Sequence, residues 1–379
     1  MRLGKYARRG GWSFIVAALA AAAVGVPAWP AVAGPSRPAA PTMLTGSLAS
    51  VAAVSAHSAW AVGSSGSRAL VLHWNGAAWK RSGAPSSRGS ALDGVGIVSA
   101  ADIWAVGSSS GKTLTLRWNG TAWHRVPSPG PAGSTLSSVA AVSAGNAWAV
   151  GTISRDGNTH DKTLILHWNG TAWKQVSSPS PEAISGLSGV AVASARSVWA
   201  VGTEASAVAG GPDSRNTLDR TLVLHWNGSA WKQVSSPTGL SSLSGAAVVS
   251  ARSAWAVGSA SGKSLVLHWT GRAWKRVRSP GPGGPYMAGA DGPYAVAASS
   301  ARSAWAVGDS YKFPSTFKTL VLRWNGASWK QVAAPSPAGS HLWGVAAVSA
   351  SDAWAVGASG LTSQKTMILH WNGKAWSRQ

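Results

Sequence analysis

The sequence predicts an all-β protein, and three observations carry that prediction. The tetrapeptide Trp-Ala-Val-Gly begins at Trp60, Trp104, Trp148, Trp199, Trp255, Trp305 and Trp354, at intervals of 44 to 56 residues. A second tryptophan follows each copy, at Trp74, Trp118, Trp168, Trp226, Trp269, Trp324 and Trp371, with His or Arg before it and Asn-Gly or Thr-Gly after it. A third comes five residues later. Beyond residue 46 there is neither a 3.6-residue apolar period nor a long run of helix formers. A period of this length marks a repeat architecture, and four short strands per unit make each unit a propeller blade. Seven units predict a seven-bladed β-propeller over residues 47–379.

The elements follow in chain order. Residues 1–33 carry Arg2, Lys5, Arg8 and Arg9 and no acid, then an apolar run over 12–29, then Ala31-Val32-Ala33. That order reads as a secretory signal peptide, so a mature chain starting near Gly34 is expected, secreted and extracellular or cell-wall associated. The alternative is an uncleaved anchor, because the run is near the minimum for spanning a bilayer. Residues 34–46, rich in Pro, Ala, Ser and Thr, read as a linker, with 38–46 able to supply an extra strand at ring closure.

The third repeat shows the strand order within a blade. Residues 139–143 form a short apolar run, and Gly145-Asn146 a turn. Residues 147–150 make a second strand ending at Gly151, and 163–168 alternate into Asn169-Gly170, a strong hairpin signal. Residues 171–176 return. First strands are built from small residues, as in Val-Ala-Ala-Val-Ser-Ala at 51–56 and 139–144, because seven strands can crowd one axis only if their side chains are small. The tryptophans fall on later strands, where large rings can fill the widening gaps between blades.

Composition narrows the function. With 24 Trp against 4 Tyr and 3 Phe, the aromatic content is that of one motif copied many times. The absence of cysteine excludes disulfide scaffolds, thiolate metal sites, cysteine nucleophiles and lipid attachment through cysteine. The net charge is +22, and acids for general acid–base work are scarce, 11 in all. No nucleophile elbow, phosphate loop or zinc motif is present.

From Val51 onward the pattern W-A-V-G … L-x-L-H-W-N-G-x-x-W resembles secreted bacterial propellers with sialidase-type repeats, and the propeller of photosystem-II assembly factors. The resemblance implies the fold and says little of activity. There is no Trp-Asp pair of WD40 repeats and no Gly-Gly doublet of kelch repeats. The Tyr–Cys cofactor of galactose oxidase is impossible without cysteine. The sialidase Tyr–Glu pair has no counterpart, since Glu182 and Glu204 are the only glutamates and neither is near a tyrosine.

Several candidates read as structural. The residue before the second tryptophan is His73, Arg117, His167, His225, His268, Arg323 or His370; arginine in two places argues against a metal ring. The asparagine of Asn-Gly is expected to supply positive φ in a tight turn, and Asp102 and Asp352 to serve turns. Lysines after the third tryptophan (Lys80, Lys174, Lys232, Lys275, Lys330) protect an outer edge or form a basic belt for anionic polymer.

What departs from the repeat points to function. The loops between second and third strands lengthen in blades 3, 4, 6 and 7, as does the linker entering blade 6 with Tyr286 and Met287. At the mouth of the first strand, the slot holding Ala49, Ser137, Ser188 and Ser244 holds Asp93, Tyr294 and Trp343 instead. A carboxylate with two aromatics at a channel mouth suits a sugar or a peptide, and loops on a rigid scaffold are where binding residues gather. The expected function is a non-enzymatic binding or scaffold module at the bacterial cell surface, with its ligand on the long-loop face. A multivalent lectin with pockets between blades is one alternative. A glycan-active hydrolase or lyase using Asp156, Asp161, Asp213 and Asp219 is another. Cell-wall polymer, glycan or another protein is the expected partner. No catalytic residue, cofactor, metal or specific nucleic acid is expected, no membrane contact after signal cleavage, and the chain is expected to be a monomer.

Overall fold

A computed structural model describes residues 44–154, 161–207, 217–237, 239–281, 292–312 and 316–379. Residues 1–43, which hold the expected signal peptide and most of the expected linker, therefore lie outside the described residues, as do Asp156, Asp213, Tyr286 and Met287. The described residues form 28 strands in seven four-stranded antiparallel sheets, each in sequence order from inner to outer strand. The blades span residues 47–81, 90–125, 134–175, 184–233, 241–276, 292–331 and 341–378. This is the seven-bladed β-propeller that the repeat predicts.

Strand limits differ from the sequence reading in two instructive ways. In the third blade the second strand runs through Gly151 to Ser154, because the inner strand, Ser134–Ser143, starts early enough to pair with it. The outer strand is only Trp173–Gln175. Its hairpin is a four-residue loop in which Asn169 N donates to Ala172 O. Asn169 Oδ1 accepts from the backbone N–H groups of Thr171 and Ala172, at 3.0 and 2.9 Å. The positive φ of that turn, 97°, belongs to Gly170 and not to the asparagine. Asparagine is there as an acceptor for loop donors that would otherwise go unpaired.

The tryptophans pack as seven equivalent wedges. Trp148 of blade 3 lies 5.0 Å from Trp226 and 5.3 Å, edge-on at 84°, from Trp231 of blade 4. Trp354 of blade 7 makes the same contacts with Trp74 and Trp79 of blade 1, both at 5.2 Å. The ring therefore closes through the packing used between every other pair of blades. Each Trp-Ala-Val-Gly tryptophan is at most 2% exposed, and tilted and edge-on ring pairs are favoured over face-to-face stacks.

Basic residues before the second tryptophan complete the wedges. His73 stacks on Trp60 at 4.1 Å, and Arg117 lies over Trp104 at 4.9 Å. Asp102, read from sequence as a turn residue, instead forms a two-pronged ion pair with Arg117, at 2.7 and 2.8 Å. Asp352 likewise meets His370 Nε2 at 3.0 Å. These acids hold the cation or imidazole flat on the ring, the role of Ser58, Asn146, Ser197 and Ser253 in other blades.

The linker also takes part. In blades 2 and 3 a third-strand threonine bonds the chain leaving the outer strand, Thr113 Oγ1 to Pro129 O and Thr163 Oγ1 to Pro179 O. In blade 7 the corresponding threonine, Thr366, meets residues that precede blade 1. There Thr366 N donates to Leu44 O at 2.8 Å, Leu44 N donates to Thr366 Oγ1, and Gly46 N donates to Gln364 O. Leu44, Thr45 and Gly46 thus dock on the last blade as the inter-blade segments do elsewhere.

Candidate functional site

The site is built by a bulge. In every blade the inner strand pairs with the second strand up to the Leu or Pro opposite the Trp-Ala-Val-Gly glycine, then skips one residue. In blade 2, Leu92 pairs with Gly107 and Gly94 with Val106, leaving Asp93 over. In blade 6 the same shift leaves Tyr294, and in blade 7 it leaves Trp343. Ala49, Ser137, Ser188 and Ser244 are the leftover residues of blades 1, 3, 4 and 5. A β-bulge re-aims the extra residue's side chain. The glycine beside it is obligatory: a Cβ on Gly63 would lie 2.0 Å from Ser47 O, and one on Gly357 1.9 Å from His341 O.

All seven bulge residues line one axial channel of about 200 Å³. The structure therefore brings Asp93, Tyr294 and Trp343 together, as the shared slot predicts. Its walls are tight. A Cβ on Gly94 would lie 2.9 Å from Ser138 Cα, and one on Gly344 2.8 Å from Ser50 Cα. Adjacent inner strands are stapled by hydroxyls, Ser50 Oγ accepting from Val95 N and Ser138 Oγ from Val190 N, both at 3.3 Å. The bulges sit where each inner strand pairs with the end of the second strand, so the channel opens on the face that bears the second-to-third-strand loops.

Among the described residues, Asp93 is the only charged one lining the channel. Among the described residues its carboxylate has no hydrogen-bond or ion-pair partner, and burial pushes it up to about 6. Tyr294 Oη donates to Asp309 Oδ1 at 3.2 Å. Asp309 is 1% exposed, and its other oxygen accepts from His341 Nδ1. His341 stacks on Trp343, with ring centroids 5.6 Å apart and planes within 5°. Phe317 also packs against His341 at 4.6 Å, and Tyr311 against Phe317 at 5.2 Å. One buried carboxylate thus orients both channel aromatics, Tyr294 directly and Trp343 through His341.

Asp309 and His341 escape the sequence reading although the repeat marks both. The residue after Trp-Ala-Val-Gly is Ser, Thr or Ala in six blades and Asp309 in blade 6. The position paired with it is filled by Ser47, Ala91, Thr135, Gly186, Ser242 and Gly292, and by His341 in blade 7. A second feature also becomes visible only in register. The third-strand residue six positions before the second tryptophan, near the bulge face, is basic in all seven blades: Arg68, Lys112, Lys162, Arg220, Lys263, Lys318 and Lys365.

Of the four acids proposed for catalysis, the described pair lies on the third strands of different blades. Asp161 pairs with Ser154 and Asp219 with Ala205. Among the described residues no group of three or more His, Cys, Asp or Glu is placed to hold a metal ion, and no helix is long and apolar enough to cross a membrane.

No family model matches the chain, and no curated protein does. Solved structures do. YCF48 bound to D1 peptide superposes with a TM-score of 0.52 at 14% identity, covering 86% of this chain and 93% of that one. YCF48 from Cyanidioschyzon merolae gives 0.50 at 15%, covering 85% and 95%. The RRP9 WD40 repeats give 0.57 at 11%, covering 85% and 94%. At these identities the likeness shows the propeller fold alone.

Proposed function

We propose that the protein is a non-enzymatic binding module that holds an extended protein segment over its axial mouth, and that it works outside the cell at the bacterial surface. One observation carries the reading. Seven structurally identical bulges converge on the axis, and only three bear a large or charged side chain, two of them aromatics held by a buried carboxylate. Preformed aromatic anchors in a rigid frame are how binding energy is concentrated in a few residues. That YCF48 has been seen with a D1 peptide supports a peptide over a sugar. The basic start, apolar run and Ala-Val-Ala of residues 1–33 support secretion. Pockets between blades, which a multivalent lectin needs, are filled by the tryptophan wedges at the levels described. The test is capture of peptides from an immobilised random-sequence library by the full chain. Trp343→Ala should weaken capture about thirtyfold, roughly 2 kcal/mol, with folding intact; undiminished capture would move the site elsewhere.

The sevenfold ring of Lys and Arg favours a second reading, attachment of the same face to anionic cell-wall polymer. Exposed charges are screened within about 8–10 Å at physiological salt, so retention on isolated walls should fall steeply between low and high ionic strength. Retention that is flat with salt would leave the ring without that role.

A further inference from the structure

We infer that the axial mouth selects a cationic side chain, a lysine ammonium or an arginine guanidinium on a protein segment, with Asp93 as its counter-ion and Trp343 and Tyr294 as its aromatic walls. The inference rests on the mouth being a peptide site and names what that site reads.

The charge distribution is the first argument. The chain has 33 Lys and Arg against 11 Asp and Glu, yet among the described residues the channel is lined by one acid and no base. That acid is not needed for folding, because the same bulge accepts Ala49 in blade 1 and Ser137 in blade 3. A carboxylate withdrawn from water without a partner is unfavourable. Burial raises the Asp93 pKa accordingly, and the carboxylate is ionised above about pH 6.

Geometry and chemistry supply the second. Aromatic faces attract a cation within about 6 Å of the ring centroid, and a nearby carboxylate adds a charge-assisted hydrogen bond. The channel's 200 Å³ compares with roughly 30 Å³ per liquid water, enough for the end of a long side chain and too little for a folded element. Hydroxyl hydrogen bonds tie the inner strands of blades 1 and 2 and of blades 3 and 4, which stiffens the wall around an entering side chain. The cationic ring outside the mouth repels polybasic segments. The favoured ligand is therefore a single Lys or Arg within a neutral or acidic stretch.

The experiment titrates the full chain, labelled at the tryptophan indole nitrogens, with the peptide Asp-Gly-Lys-Gly-Asp and its counterpart with an uncharged central side chain, Asp-Gly-Gln-Gly-Asp. The lysine peptide should shift the Trp343 indole resonance and bind about tenfold tighter at pH 8, a difference of about 1.4 kcal/mol. Asp93→Asn should abolish the preference, as should pH 5, where Asp93 is protonated. Equal binding of both peptides through Trp343, or a preference that survives Asp93→Asn, would overturn the cation inference and leave the peptide site standing. Failure of either peptide to move Trp343 would overturn both.

Discussion

Trp354 and Trp343 stand in the same blade, on neighbouring strands, and are used in opposite ways. Trp354 is fully buried, belongs to a wedge repeated around the ring, and packs against two tryptophans of blade 1. Trp343 is half-buried, has no counterpart in any other blade, and faces the axial channel beside a histidine. Where the molecule keeps its sevenfold symmetry, the shared residues hold the blades together. Where it breaks symmetry at a slot that tolerates alanine, the fold has no use for the change. The comparison teaches that departures from a repeat carry more functional information than the repeat itself.

The largest expected effect lies on the symmetric side. Trp148→Ala removes a ring that is 1% exposed between blades 3 and 4, and should destabilise the protein by about 3–5 kcal/mol, read by thermal or denaturant unfolding. An unchanged melting temperature with lost peptide capture would reverse the assignment of the two tryptophan classes.

Asp93 sharpens the contrast with an effect of opposite sign. Its carboxyl titrates near 6 when folded against 3.8 when unfolded. The native state therefore binds more protons between those values, and this group's contribution to stability falls as pH rises from 3.8 to about 6. Above that, ionised Asp93 costs at most about 3 kcal/mol, because one pKa unit is worth 1.36 kcal/mol and the open mouth lets water reduce it. Asp93→Asn should accordingly raise the melting temperature at pH 8 and leave it unchanged near pH 3.5. A destabilised variant at pH 8 would mean that Asp93 serves the fold.

The smallest effect belongs to the wedge histidines. Burial lowers His73, His167, His225 and His268 below 6.5. For a base with a depressed native pKa the unfolded chain binds the proton first, so this stabilisation is complete above 6.5 and lost as pH falls below it. Melting temperature measured in the Asp93→Asn, Glu204→Gln double variant, which lacks the two carboxyls that burial raises, should decline smoothly from pH 7 to pH 5. A rise over that range would contradict the stacking of neutral imidazole on tryptophan.

The symmetric half of the molecule was legible in the sequence because each wedge residue is written seven times. Period, blade number and the small first strand all follow from copies that agree. The asymmetric half was legible only in part. Asp93, Tyr294 and Trp343 stand out by comparing one column of the repeat. Asp309 and His341 lie in two other columns, and their meeting depends on a cross-blade contact that no single column shows. The bulge that aims the three side chains inward has no composition of its own, since its cause is the absence of a Cβ on the facing glycine. The roles of Asp102 and Asp352 are hidden in the sequence because one short acid serves a turn or an ion pair equally well, and only the register with Arg117 and His370 decides.

The central claim, that shared tryptophans build the ring and the unshared one binds, is tested most directly by Trp343→Ala and Trp354→Ala measured side by side for melting temperature and for capture of library peptides. The account predicts that Trp343→Ala melts with the parent protein and captures about thirtyfold less, while Trp354→Ala loses several kcal/mol of stability and, at temperatures where it remains folded, captures normally. Trp343→Ala unfolding early, or capturing peptides as well as the parent, would contradict it.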